Sequence, residues 1–449
     1  MSYDLVVRGG LVVSASGVFD ADVAVAGGRI AAVGAGLAPG AHELDASGLY
    51  VVPGAIDGHV HLNDPTFPPH ATFTADDFAT GTRAAAFGGV TTVIDFAQPE
   101  VGQPLLDGLD ARLADAAGEA VIDYALHLNV RDPDPARAEE IPGVFARGVP
   151  SFKLYMSYPG YRIPDEAIFR AMCRIAEGEG LAVLHAENDD VIAVRSAALA
   201  AQGRTGPRWL AEACPPEGEA EAVHRAIALA GLARARLLVF HLSCGEAARE
   251  VALAKRAGRA VWGEVTSHGL VFDAAVRETG DLRAQSFAVR PPIREAPQRE
   301  ALWSALVRGE IDIVSSDHCP RVAREDSHPA GVSGIETRLA LVHHFGVGGG
   351  VIDLPRWVEV CASAPARIHG LDRKGRLEPG ADADIVLFDP LREVELSPQA
   401  LHSALPFSSY EGIVVRGFPV VTISRGEVIV QGGEFVGAPG RGRFVERGR

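Results

Sequence analysis

Two histidines one residue apart, His59 and His61 in Asp57-Gly58-His59-Val60-His61, stand at the end of an apolar run from Leu49 to Ile56. Side chains alternate across a strand, so both imidazoles face one way, with Cα atoms about 6–7 Å apart. That spacing lets two neutral imidazoles hold one metal ion. Pro53-Gly54 before the run and Asp64-Pro65 after it place the pair at a strand's exit. His-x-His alone is a weak motif, but other strand-like runs end in the same way. Pro150–Met156 carries Lys153, Leu181–Glu187 carries His185, Leu237–Leu242 carries His241, and Ile311–His318 carries Asp317.

Four imidazoles and a carboxylate are borderline ligands that suit Zn2+, with Mn2+, Co2+ or Fe2+ as alternatives. They are too many for one tetrahedral ion that keeps an open position. Two ions need a bridging anion, and no second acidic residue is expected at a strand exit. Lys153 is the candidate. Burial drives a lysine toward its neutral amine, and a neutral amine adds CO2 to give a carbamate that can bridge two metals. An ordinary ammonium paired with an acid is the alternative; the surrounding ligands favour the carbamate.

Elements must bring these residues to one place. Apolar strand-like runs near 55–61, 91–96, 121–130, 150–156, 181–186, 236–242, 259–265 and 311–317 alternate with helical stretches, among them Asp76–Phe87, Asp165–Glu179, Glu219–Ala233, Glu246–Ala257 and Gln298–Arg308. Eight such units predict an α/β fold, a (β/α)8 barrel over residues 53–374, whose chemistry sits at the C-terminal ends of its strands. A doubly wound open sheet is the alternative, but no Gly-x-Gly-x-x-Gly follows a first strand. The two ends read differently. Short alternating strands with Gly turns fill residues 1–52 and 375–449, and neither end closes a core alone. They are expected to pair into one small β-sandwich domain.

Composition narrows the class. With 449 residues, 47% hydrophobic and 22% charged, the chain can bury a large core. A net charge of −16 argues against nucleic acid and against an anionic membrane surface. The start MSYDLVVRGG carries no secretion signal, and no apolar run reaches membrane-spanning length. Five cysteines, Cys173, Cys214, Cys244, Cys319 and Cys361, have no paired spacing, which points to free thiols in a reducing cytoplasm.

The segments PGAIDGHVHL, FATGTRAAAFGGVTTVIDF, SFKLYMSY, HAENDDVI, FHLSCGEA, PPIRE and SSDHCP resemble the cyclic amidohydrolases, and TGPRWLAEACPPEGEAEAVHRA looks like the hydantoinase branch. The resemblance covers nearly the whole chain. It implies that His59 and His61 bind a first metal, that His185 and His241 bind a second, and that carboxylated Lys153 bridges them. Asp317 would ligate the first metal and act as catalytic base, and a metal-bridging hydroxide would attack the carbonyl of a cyclic amide or ureide. Tyr158 matches the family tyrosine that hydrogen-bonds the oxyanion; a loop aromatic packing on the rim is the plainer alternative. A small-molecule ureide substrate and a homo-oligomer, tetramer or dimer, follow by analogy.

Within the family, dihydroorotases usually read His-x-His-x-Arg, and the position of that arginine is Asn63 here, which disfavours dihydroorotase. Two positions depart from the hydantoinase and dihydropyrimidinase pattern. Arg290 replaces the serine usual before the Pro-Pro pair, and Ala330 aligns with a usual asparagine; both positions meet the ring amide largely through backbone groups. Arg290 is left facing either a substrate carboxylate or solvent. Gly331-Val332-Ser333-Gly334 is closer to an allantoinase-like loop, so allantoin is the runner-up substrate. The loop Thr66–Phe73 is expected to wall an apolar substituent pocket. A non-catalytic homologue would have lost metal ligands, and a single-metal deaminase would not need Lys153.

Overall fold

The computed structural model describes residues 3–64, 74–278, 282–321 and 330–448. Its first strands are β1 (Tyr3–Ser14), β2 (Gly17–Ala26), β3 (Arg29–Gly34), β4 (Gly40–Asp45) and β5 (Tyr50–Pro53). Eight short strands follow: β6 (Ala55–Asp57), β7 (Val90–Ala97), β8 (Asp123–Asn129), β9 (Ser151–Tyr155), β10 (Leu181–His185), β11 (Arg236–Val239), β12 (Val261–Thr266) and β13 (Ile313–Ser315). These eight pair in parallel, in chain order, as one sheet. A parallel bridge between Val60 and His318, with the His61 amide donating to the His318 carbonyl at 2.8 Å, returns the last strand to the first. The expected (β/α)8 barrel is the result.

Parallel strands covered on both faces must be apolar throughout rather than alternating. Every residue of β7, β8, β9 and β10 is buried. The covering helices present one face. Helix Asp165–Glu177 buries Ile168, Ala171, Met172 and Ile175, the spacing of a single stripe. Helix Phe78–Phe87 starts on a reciprocal cap, Asp77 accepting from the Thr80 amide while the Thr80 hydroxyl accepts from the Asp77 amide.

The chain closes with β14 (Ile385–Glu395), β15 (Val414–Ser424), β16 (Glu427–Gln431) and β17 (Glu434–Phe435). β5 pairs in parallel with β1 and antiparallel with β14, which joins the two ends in one nine-stranded sheet; β4 branches from β1. Val7, Val23, Val51, Ile385, Leu387 and Ile423 form this sheet's own core. Trp357, fully buried, joins it to the barrel: its ring lies 4.9 Å from that of Phe388 on β14, and its Nε1–H donates to the Leu339 carbonyl at 3.1 Å. The tail pairs with β8 through Tyr124, and the Arg447 guanidinium donates to Ser151 Oγ at 2.7 Å, on the side of the barrel away from the strand exits. All five cysteines are free thiols. No helix among the described residues is long and apolar enough to cross a membrane.

Candidate metal centre

Three of the predicted runs continue well past their strands. β6 stops at Asp57 and β11 at Val239, so His59, His61 and His241 lie on the bends that follow. Asp317 similarly follows β13. Four residues of this rim have left-handed backbone: His241 (φ 40°), Asn63 (φ 45°), Asp317 (φ 48°) and Tyr158 (φ 81°). Side-chain-bearing residues adopt that region rarely and hold it only where their surroundings over-determine it. The bends aim side chains inward in a way that a continued pleat could not.

His59 and His61 have ring centroids 5.4 Å apart. His59 Nδ1–H donates to Glu264 Oε1 at 2.8 Å, and His61 Nδ1–H to Asp64 Oδ2 at 2.5 Å. Donation to a carboxylate fixes the ring orientation and leaves the other nitrogen to ligate. Both Nε2 atoms face Asp317 Oδ1, at 3.2 and 3.5 Å. Ligand atoms of His59, His61 and Asp317 all lie within 4.8 Å of one another, a group that can hold a metal ion. Burial alone would lower the His61 imidazole, but Cys319, Asp317 and Asp64 hold it well above its ordinary value. Burial likewise opposes ionisation of Asp317, yet His59, His61 and His241 keep it well below the usual carboxylate range.

His185 and His241 form the second pair, with Nδ1 of the first 2.9 Å from Nε2 of the second. His185 Nε2–H donates to Glu187 Oε2 at 2.8 Å, which turns Nδ1 toward His241. Burial, reinforced by Lys153 and Arg290 at His185 and by His185 and Lys153 at His241, holds both rings well below the ordinary imidazole value. They are neutral, the form that ligates. Lys153 is 1% exposed, with its Nζ 4.2 Å from the Phe240 ring centroid and 5.0 Å from that of Tyr155. Burial brings its amine down to about 7 against the opposing pull of Asp317 and Glu264. Tyr158 is a neutral donor, its phenol raised by burial, and its hydroxyl donates to the Arg290 carbonyl at 3.2 Å. The donor set, three rings oriented by carboxylates and an amine near neutrality, fits divalent metal.

Every predicted site residue except Asn63 lines one cavity of about 530 Å3: His59, His61, Lys153, Tyr158, His185, His241, Arg290, Asp317 and Ala330. Leu199, Trp209 and Leu210 add an apolar wall. The Asn63 amide donates to the Asp76 carbonyl at 2.7 Å, and its carbonyl accepts from Arg112 at 3.3 Å. The expected wall Thr66–Phe73 lies outside the described residues. Gly331 has φ 92°, and a Cβ there would stand 1.8 Å from the Cys319 carbonyl oxygen, so only glycine fits.

The expectation that no second acid stands at the strand exits needs correction. Glu264, in β12 and fully buried, accepts from His59 Nδ1, from Ser315 Oγ at 2.8 Å and from the His241 amide at 3.3 Å. It orients His59 from behind rather than bridging the two ring pairs. An acid inside an apolar strand is the same signal that singled out Lys153, and it was open to view in Val261-Trp-Gly-Glu-Val-Thr266. Glu187 and Asp64, two and three residues beyond their histidines, had no comparable signal.

Residues 50–429 match the sequence profile described as the Amidohydrolase family. The chain is 40% identical to the D-hydantoinase of Streptomyces coelicolor, over 100% of this chain and 98% of that one. It is 37% identical to the D-hydantoinase of Ralstonia pickettii, over 99% of each. The crystal structure of dihydropyrimidinase from Brevibacillus agri superposes with a TM-score of 0.95 at 38% identity, covering 98% of both chains.

Proposed function

The chain belongs to the amidohydrolase family, and on that premise we propose that it hydrolyses the ring of a cyclic amide or ureide, a hydantoin or a dihydropyrimidine. The observation that carries this reading is the convergence of His59, His61, Lys153, His185, His241 and Asp317 on one cavity. The relatives' names do not favour allantoin as the substrate.

In this reading His59, His61 and Asp317 would hold one divalent ion and His185 and His241 would hold the other, with zinc the metal best suited to the donors. When bound, such ions bring the pKa of water down to about 7 and polarise the ring carbonyl. Lys153 as a carbamate would serve both ions: its neutral nitrogen would bond to the carbon of CO2 and one proton would leave. Asp317 accepts the proton of the attacking water and returns it to the ring nitrogen as the C–N bond breaks. Tyr158 donates its phenolic hydrogen to the carbonyl oxygen as negative charge develops there. Arg290 and Ala330, on the cavity wall, meet the ring through main-chain groups.

The same reading treats residues 1–52 and 375–449 as a β domain that braces a catalytic barrel of residues 53–374. Five free thiols support a reducing, cytoplasmic setting. A homo-oligomer, tetramer or dimer, is the assembly we propose, and light scattering tests it. For the activity, the purified chain is assayed side by side on hydantoin, 5,6-dihydrouracil, allantoin and dihydroorotate, with metal analysis. Opening of hydantoin or dihydrouracil by protein holding about two ions per chain is the expected result. A metal-replete chain that opens none of these rings overturns the proposal.

A further inference from the structure

Arg290 is a cation on the wall of a cavity proposed to take a neutral ring, so what its side chain does there needs a physical account. The side chain is 15% exposed. Nε–H donates to Glu187 Oε2 at 3.1 Å, the same oxygen that accepts His185 Nε2–H at 2.8 Å. Nη2 is buried without a hydrogen-bond partner among the described residues and lies 3.7 Å from Asp189 at the start of the next helix, so Glu187 takes the arginine's one carboxylate hydrogen bond. The guanidinium carbon lies 4.5 Å from the centroid of the Tyr158 ring, while the carbonyl of the same arginine accepts the Tyr158 hydroxyl hydrogen at 3.2 Å. The guanidinium thus holds the ring of Tyr158, while the hydroxyl hydrogen rests on the main-chain carbonyl until a substrate oxygen accepts it.

We propose that Arg290 is a positioning residue that couples His185 to Tyr158, holding the Glu187 carboxylate that orients the ring of one and stacking on the other. The proposal rests on the reading that His185 holds a metal ion and that Tyr158 donates to the substrate. Its physical basis is the burial of Glu187, whose side chain is 2% exposed. Without the Arg290 donor that holds Oε2 in place, the Glu187 carboxylate is free to turn away from the ring of His185. His185 then loses the acceptor that keeps its proton on Nε2, and Nδ1 is no longer fixed toward His241. Outer partners of metal-ligating histidines are worth about 10–100-fold in metal affinity or activity. Loss of the stack frees Tyr158 at the same time, so the effect falls on turnover rather than on binding of the ring.

The test uses the metal-loaded enzyme and a colorimetric chelator that reports release of each ion. Arg290→Gln and Glu187→Gln are each expected to release one ion about 10–100-fold faster than the parent and the other at the parental rate. The double variant is expected to be no faster than the faster single one, because both act on one path. For hydantoin, kcat falls by about tenfold or more while KM stays within about twofold. Arg290→Lys, which keeps the charge without the fork or the planar stack, lies between. Parental release rates in Arg290→Gln overturn the proposal, as do losses that multiply in the double variant. A rise in KM confined to rings with an acidic substituent overturns it too, and assigns the arginine to substrate instead. Should Arg290→Gln unfold at assay temperature, Arg290→Lys and Glu187→Gln decide by the same readouts. A parent chain that retains no metal defeats the proposed function itself, and does so before any variant is compared.

Discussion

Lys153 is the residue whose chemistry is most completely made by its surroundings, and it yields a quantitative expectation. An exposed lysine titrates at about 10.5, and burial brings this one to about 7. At pH 8 the exposed amine is about 0.3% neutral and the buried one about 90%, a gain of roughly 300-fold in the form that can bond to CO2. The sign is fixed by the direction of the shift: the neutral fraction of a cation with a lowered pKa rises as pH passes upward through about 7. Between pH 6 and pH 8 it goes from about 10% to about 90%. The assay strips the enzyme of metal in CO2-free buffer, then adds Zn2+ at a fixed concentration of dissolved CO2 and follows metal uptake and hydantoin hydrolysis. His61, whose imidazole is held well above its ordinary value, must also give up a proton to ligate a metal, so pH alone does not isolate the lysine. A Lys153→Ala chain rescued by a short carboxylic acid needs no CO2 but keeps His61. Dividing the parent's rate by the rescued variant's rate removes the histidine contribution. That ratio is expected to rise about tenfold from pH 6 to pH 8 and to depend on CO2. Uptake indifferent to CO2 at every pH, or full activity of Lys153→Ala without added acid, would refute the carbamate.

Three other perturbations test separate parts of the structure. Glu264→Gln removes the charge behind His59 at almost constant volume, and weaker binding at the His59–His61 pair by about 10–100-fold is expected in competitive metal titration; unchanged affinity would remove Glu264 from the site. Gly331→Ala forces a Cβ onto the Cys319 carbonyl at a left-handed backbone position, with an expected loss of about 1–3 kcal/mol in urea unfolding and a matching drop in activity, since Cys319 lies two residues from Asp317. Trp357→Ala empties the joint between barrel and terminal sheet, and about 3–5 kcal/mol of stability should go while bound metal per folded chain stays constant. A metal-poor folded variant would mean that the sheet reaches the site.

Much of the fold is legible in the chain because a barrel is a strong local pattern. Each barrel strand is covered on both faces, so it reads as an unbroken apolar run, and the intervening helices show their single buried stripe. The pairing of the ends was legible for a different reason: neither set of alternating strands has enough apolar area to close on itself. The strand ends were not legible. The runs through His61 and His241 stay apolar enough to look like continuing strand, whereas the bends that stop them at Asp57 and Val239 depend on neighbours distant in sequence. Glu187 and Asp64 are hidden for a related cause. An acid on a loop looks solvated until the fold places it behind a ring.

The four histidines are held in two ways, and the difference accounts for which of their supports could be read. His59, His61 and His185 are each oriented by a carboxylate on the outer nitrogen, from Glu264, Asp64 and Glu187. His241 has no such acid: among the described residues its Nδ1 is buried without a hydrogen-bond partner. Its orientation comes from the backbone instead, a left-handed φ of 40° held by an amide that donates to Glu264. Glu264 therefore orients one ring of the first pair through its side chain and one ring of the second through its main chain. A single buried acid ties together the two pairs, which the proposed two-ion site would have to keep in register. The strained backbone at His241 costs about 1–3 kcal/mol, and it persists because releasing it would strip a buried carboxylate of a donor. Local propensity disfavours that conformation, so the sequence pattern continues the strand where the molecule bends, and the point at which the pattern fails is the point at which the site is built.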